Sequence, residues 1–161
     1  MSHINHKSVL SLILLFSIFA LIAAYFIEYV LKHQPCNLCL IERIPYFFSI
    51  VVISVCLFTK KFEKFSLMIL SLIFFSAFLI AFYHFGIEQG FVRESLVCDL
   101  NNENNNLSKE ALLNQLKTMP VSCKDVTFKI FSLSLATFNI FITLILSAIT
   151  TKLFLTYEKN R

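Results

Sequence analysis

Two cysteines separated by two residues, Cys36-Asn37-Leu38-Cys39, are followed four residues later by Arg43. Thiols at this spacing can close on each other, and the thiolate is the form that attacks disulfides and reduces acceptors. If a helix begins near Cys39, its unpaired N–H groups and positive dipole end favour a thiolate there. Arg43, at i+4, lies on the same helical face. Its guanidinium is always charged and offers several fixed donors to an anion. Low dielectric near lipid would strengthen that influence. A snorkelling interfacial cation is the plainer account of Arg43, and the neighbouring Glu42 partly offsets its charge. A lone C-x-x-C is shared by zinc sites, structural disulfides and redox proteins. Zinc commonly draws its other ligands from a second tight pair; Cys98 and Cys123 are 25 residues apart and lack that spacing. Redox chemistry with no metal is therefore the expectation.

Cys98 and Cys123 invite two readings. As a staple, their bond would stabilise by roughly 3–4 kcal/mol through loop closure. As an exchanging bond in an exposed loop, it would be open to an incoming thiolate. Five cysteines leave one over. Cys56, some 25 Å further along the helix that carries Cys39 at 1.5 Å rise per residue, reads as a buried small hydrophobe. His33 and His84 are either polar helix-end residues or proton handlers. Asn139 reads as interhelical glue.

What positions these groups must be a membrane bundle. Of the 161 residues, 57% are hydrophobic and 19 are Phe, with a mean hydropathy of +0.75; a soluble core of this size could not hide so much apolar surface. Uncharged runs at 8–27, 44–59, 65–85 and 130–151 are separated by short polar segments and one long loop. The first run is longer than a signal-peptide core and no cleavage site follows it, so it is expected to remain as a span. The second is short unless its helix starts near Leu38, which places Pro45 inside it. These runs are too long and unalternating for barrel strands. The expected fold is all-α: an integral membrane protein of one domain over 1–161. Its four-transmembrane-helix bundle has spans at about 8–31, 38–59, 65–87 and 128–151, with outer loops 32–43 and 88–127. Ser108 could cap a short interfacial helix over 109–118, with Leu112, Leu113 and Leu116 on one face.

Four spans leave both termini on one side. Lys7, Lys60, Lys61, Lys64, Lys152, Lys159 and Arg161 share that side, and seven further basic residues face the other. The first set hugs the helix ends, where the positive-inside bias acts most strongly, so the termini are expected in the cytoplasm. The four loop cysteines then face an oxidising compartment in which disulfides persist. The net charge of +4 is thinly spread, with no nucleic-acid patch.

The pattern resembles the DsbB family of bacterial inner-membrane thiol–quinone oxidoreductases. The likeness rests on Pro35-Cys36-x-x-Cys39 with Glu42-Arg43 after the first span, and on Tyr83-His84-Phe85-Gly86-Ile87-Glu88-Gln89-Gly90 closing the third. The second cysteine pair in the long loop, and Ser132-Leu133-Ser134-Leu135-Ala136 with Asn139 at the fourth span, complete it. The chain departs in having no Trp and an Asn-rich loop at 101–106. The resemblance implies that a DsbA-like periplasmic thiol oxidase attacks Cys98 and releases Cys123. Cys123 then exchanges with Cys36 and frees Cys39. Cys39 passes electrons to a quinone, ubiquinone or menaquinone, while Arg43 stabilises the charged sulfur–quinone adduct. The vitamin K epoxide reductase type fits less well, because its C-x-x-C comes after the loop pair. A DsbI-like paralogue with a dedicated partner, or a scaffold with structural outer disulfides, are the remaining alternatives.

Overall fold

One long helix covers most of each of the four apolar runs in the computed structural model, which describes residues 6–59, 63–93, 123, 129–130 and 133–159. They are α1 (His6–Tyr29), α2 (Asn37–Phe58), α3 (Glu63–Glu88) and α4 (Leu135–Lys159). All four are long and apolar enough to cross a bilayer. Their outward faces carry Leu12, Leu15, Phe47, Phe48, Leu72, Phe75, Phe141 and Ile145, all exposed. Water would not tolerate so continuous an apolar exterior, whereas lipid does. The chain is a multi-pass membrane protein.

The first three helices match the expected spans within two residues. The fourth does not: it was expected at 128–151 and runs over Leu135–Lys159. A two-stranded antiparallel hairpin, β1 (Lys129–Ile130) with β2 (Leu133–Ser134), precedes it and pairs Lys129 with Ser134. The Ser134 hydroxyl then accepts the Thr137 backbone N–H at 3.2 Å and caps the helix. At the far end Lys152 ends the apolar run without ending the helix. Residues 109–118, where an interfacial helix was expected, lie outside the described residues.

α1 packs on α2, α2 on α3, and α3 on α4. Toward the chain termini Leu10, Ile13, Ile53, Leu67, Phe74 and Leu153 share one core, and a His6–Tyr157 ring contact draws α1 to α4. Hydroxyls stitch the helices where apolar packing alone gives little orientation: Ser49 donates to Ser17 at 3.1 Å, and Ser71 meets Thr151 at 2.7 Å. Two devices place the loop ends. Pro45 sits inside α2, so the Ile41 carbonyl lacks its usual partner. α3 stops at Glu88, and two residues on Gly90 takes a φ of +76° that suits glycine. The chain then folds back so that Val92 lies where a Cβ on Gly86 would meet it at 3.0 Å.

Candidate functional site

α2 begins at Asn37, two residues earlier than a start at Cys39, and this decides which sulfur occupies the cap. Cys36 is the N-cap, with extended backbone, and its sulfur accepts the Cys39 N–H at 3.3 Å. An N-cap side chain ordinarily reaches the N–H three residues on, which is the C-x-x-C spacing. The anion-stabilising place at the helix start, expected for Cys39, therefore belongs to Cys36. The two sulfurs lie 2.9 Å apart as free thiols.

The third group at the dithiol comes from α3. His84 Nε2 approaches the Cys36 sulfur at 3.5 Å, while Nδ1 meets Glu42 Oε1 at 2.7 Å. A carboxylate can only accept, so Nδ1 carries the hydrogen and Nε2 is the nitrogen presented to sulfur. Glu42 Oε2 in turn accepts from Asn139 Nδ2 at 2.7 Å, and Asn139 Oδ1 accepts from the Tyr46 hydroxyl at 2.5 Å. One chain of hydrogen bonds thus joins α2, α3 and α4 and ends on a thiol. Glu88, from the end of α3, lies 3.8 Å from the same Nε2 and is held by the Ser134 hydroxyl.

This arrangement pulls the Cys36 thiol below the usual thiol range. The hydrogen bond from Cys39 is the largest cause; the His84 ring adds to it, and desolvation by burial opposes both. An ordinary thiol with a pKa of about 8.5 is only ~3% thiolate at pH 7. Iodoacetamide labelling of Cys36 in the reduced protein, followed by peptide mass spectrometry, should therefore stay near its plateau at pH 7 and decline only well below it. A midpoint near the ordinary value would remove the activated thiol.

Arg43 is placed differently from expectation. Its Nη1 pairs with Glu28 of α1 at 2.5 Å, and its guanidinium lies 4.9 Å from the Tyr25 ring centre. Cys39 and Arg43 line the same cavity, but the cation's described partners are Glu28 and Tyr25. Glu42 likewise turns to His84 and Asn139. Cys123 is disulfide-bonded and packs in one buried cluster with Cys36, Leu38 and Ile87. Cys98 lies outside the described residues. Cys56 is a buried free thiol in the other core.

A cavity of about 340 Å³ adjoins these groups. Small side chains on two helices, Ala20, Ala23 and Ala24 of α1 and Ala136 of α4, leave the room; Cys36, His84 and Arg43 form its polar end. Phe19 lines it too and is 68% exposed, so the cavity opens onto the outer surface of α1. Phe19 is ten residues from the Tyr29 end of the helix, about 15 Å at 1.5 Å per residue. In a helix that crosses the bilayer, this puts Phe19 at the depth of the acyl tails.

The family model "Disulfide bond formation protein DsbB" matches residues 6–153. The chain belongs to the DsbB family. Membership gives it a role in disulfide-bond formation and accounts for an early dithiol, a later cysteine and four spans in one chain. It is also 30% identical over 145 residues to an uncharacterized protein of Rickettsia prowazekii (strain Madrid E), covering 88% of this chain and 84% of that one. Of the residues singled out from the sequence, Cys36, Cys39, Cys123 and Arg43 line one cavity. His84 had been left between a helix-end residue and a proton handler, and Asn139, read as interhelical glue, does join α4 to α2 through Glu42 and Tyr46; the Glu28 partner of Arg43 and the Glu42 contact with His84 were missed.

Proposed function

We propose that the protein is a thiol:quinone oxidoreductase that reoxidises a DsbA-like periplasmic dithiol oxidase. The observation that supports this best is that the Cys36–Cys39 dithiol and buried, disulfide-bonded Cys123 line one largely apolar cavity, which Phe19 in the middle of α1 also lines. Cys98 is taken as the partner of Cys123. The termini are assigned to the cytoplasm and the cysteine loops to the periplasm, in keeping with the basic residues at the helix ends and with a persistent disulfide.

The partner's thiolate attacks Cys98, and Cys123 leaves as a thiolate. Cys123 attacks Cys36 of a Cys36–Cys39 disulfide, and Cys39 leaves. The partner's second thiolate then attacks its own sulfur bonded to Cys98, and departs oxidised. Cys98 attacks Cys123, which restores the loop bond and frees Cys36. The chain now holds the dithiol seen here. A quinone in the cavity supplies the acceptor for two electrons and two protons as the Cys36–Cys39 disulfide closes. Within the chain, His84 takes the Cys36 proton, Glu42 holds the ring in its tautomer, and Arg43 contributes fixed positive charge at the wall. The lining suits such a ligand: mostly apolar, with a few convergent polar groups and a volume in the range of small-molecule sites.

The test is anaerobic mixing of the protein in lipid nanodiscs with a reduced periplasmic dithiol oxidase and excess quinone. Quinol should form in step with partner disulfide, over many turnovers. Oxidised partner without quinol would overturn the quinone assignment; neither product would favour a structural role for the cysteines.

A further inference from the structure

The reduced dithiol has a feature that electron transfer alone does not require. Cys36 Sγ, Cys39 Sγ and a ring nitrogen of His84 all lie within 4.8 Å of one another. Behind the ring, Glu42 Oε1 receives Nδ1 at 2.7 Å. A carboxylate behind an imidazole, with the other nitrogen turned toward two sulfurs, is how protein metal sites orient a histidine ligand. Glu88 Oε1, 3.8 Å from His84 Nε2, stands near a fourth position. The sequence argument against zinc considered only Cys98 and Cys123 as further ligands; the third ligand instead comes from α3.

We propose that the reduced site binds one zinc-class divalent ion through Cys36, Cys39 and His84, and that the bound ion withholds the dithiol from oxidation. Zn–S bonds of ~2.3 Å at a tetrahedral angle set the sulfurs ~3.8 Å apart. The two thiols, now at 2.9 Å, must therefore open by somewhat under ~1 Å, a side-chain movement next to a cavity. Binding is not a redox step: both cysteines ligate as thiolates, any remaining thiol protons pass to water, and no electrons move. The Cys36–Cys39 disulfide has no thiolates to offer, so affinity follows redox state. Zinc then inhibits by trapping the form that should hand on electrons. The inference rests on the dithiol of the proposed reaction but on neither the quinone nor the partner.

The experiment is a Co2+ titration of the full-length chain carrying Cys98→Ser and Cys123→Ser, in lipid nanodiscs, reduced and then freed of reductant under argon. One equivalent of Co2+ should bind, with a thiolate charge-transfer band and the intense visible bands of a tetrahedral site, and Zn2+ should bleach both. The same preparation with Cys36–Cys39 oxidised should bind none, a comparison that needs no further mutation. Glu42→Gln should weaken binding about tenfold, as loss of an outer-shell carboxylate does, and His84→Gln should weaken it more. Absence of the bands in the reduced protein, or equal affinity with and without His84, overturns the site. Quinol formation measured without metal reports separately on the proposed reaction, so either can fail alone.

Discussion

In the nanodisc assay, Cys39→Ser is expected to lower quinol formation by more than about 10³-fold, the scale on which loss of a reacting nucleophile acts. A single equivalent of partner should still be oxidised. The two results separate because the loop disulfide does not depend on Cys39: one partner molecule can spend it, after which nothing restores it. Cys36 alone cannot close a disulfide within its own helix turn, so its electrons have no exit. Mass spectrometry should find the partner trapped on the loop or released with the loop cysteines reduced. Sustained turnover in Cys39→Ser would sink the assigned route. Cys56→Ser supplies the contrast, since that thiol is buried in the core toward the chain termini and should leave turnover unchanged.

The second large effect concerns the chain of hydrogen bonds behind the thiol. His84→Gln should cut quinol formation by at least ~10²-fold, the lower end for loss of a general base. It should also raise the midpoint of Cys36 alkylation, because the ring is one of the groups that favour the thiolate. Glu42→Gln should fall between His84→Gln and the native protein in both readouts. Asn139→Leu, one bond further from sulfur, should move them least. A merely structural role for these residues would lower thermal stability without grading the alkylation midpoint in this order. Equal midpoints in all three variants would remove His84 from the proton path.

How much could be read in advance differs by residue. The first three helices were legible because their apolar runs end in charge or Gly. The start of α4 was not: the apolar run gives no sign that Lys129–Ile130 pairs with Leu133–Ser134 until the Ser134 hydroxyl is seen capping Thr137 and holding Glu88. The dithiol was legible as a motif, yet its cap was assigned to the wrong sulfur, although C-x-x-C matches the distance from an N-cap side chain to the N–H that donates to it. His84 is 48 residues from Cys36, and Glu28 is 15 residues before Arg43. Neither spacing carries local information. One signal was available: Glu28, Glu42, His84 and Glu88 are ionisable groups at the ends of apolar helices, and such groups near lipid must find partners or a wet cavity. Sorting them by depth would have put them together.

The mouth beside Phe19 has a consequence for selection among ligands. On the proposed reaction, a quinone that enters sideways would leave its isoprenoid chain outside, dissolved among acyl tails, and the protein would have no ruler for chain length. Discrimination would then fall on the head group that reaches Cys36 and His84, and supply would follow the quinone's mole fraction in the bilayer rather than its concentration in water. A cell that changes the number of isoprene units would need no matching change in this protein; one that changes the ring would.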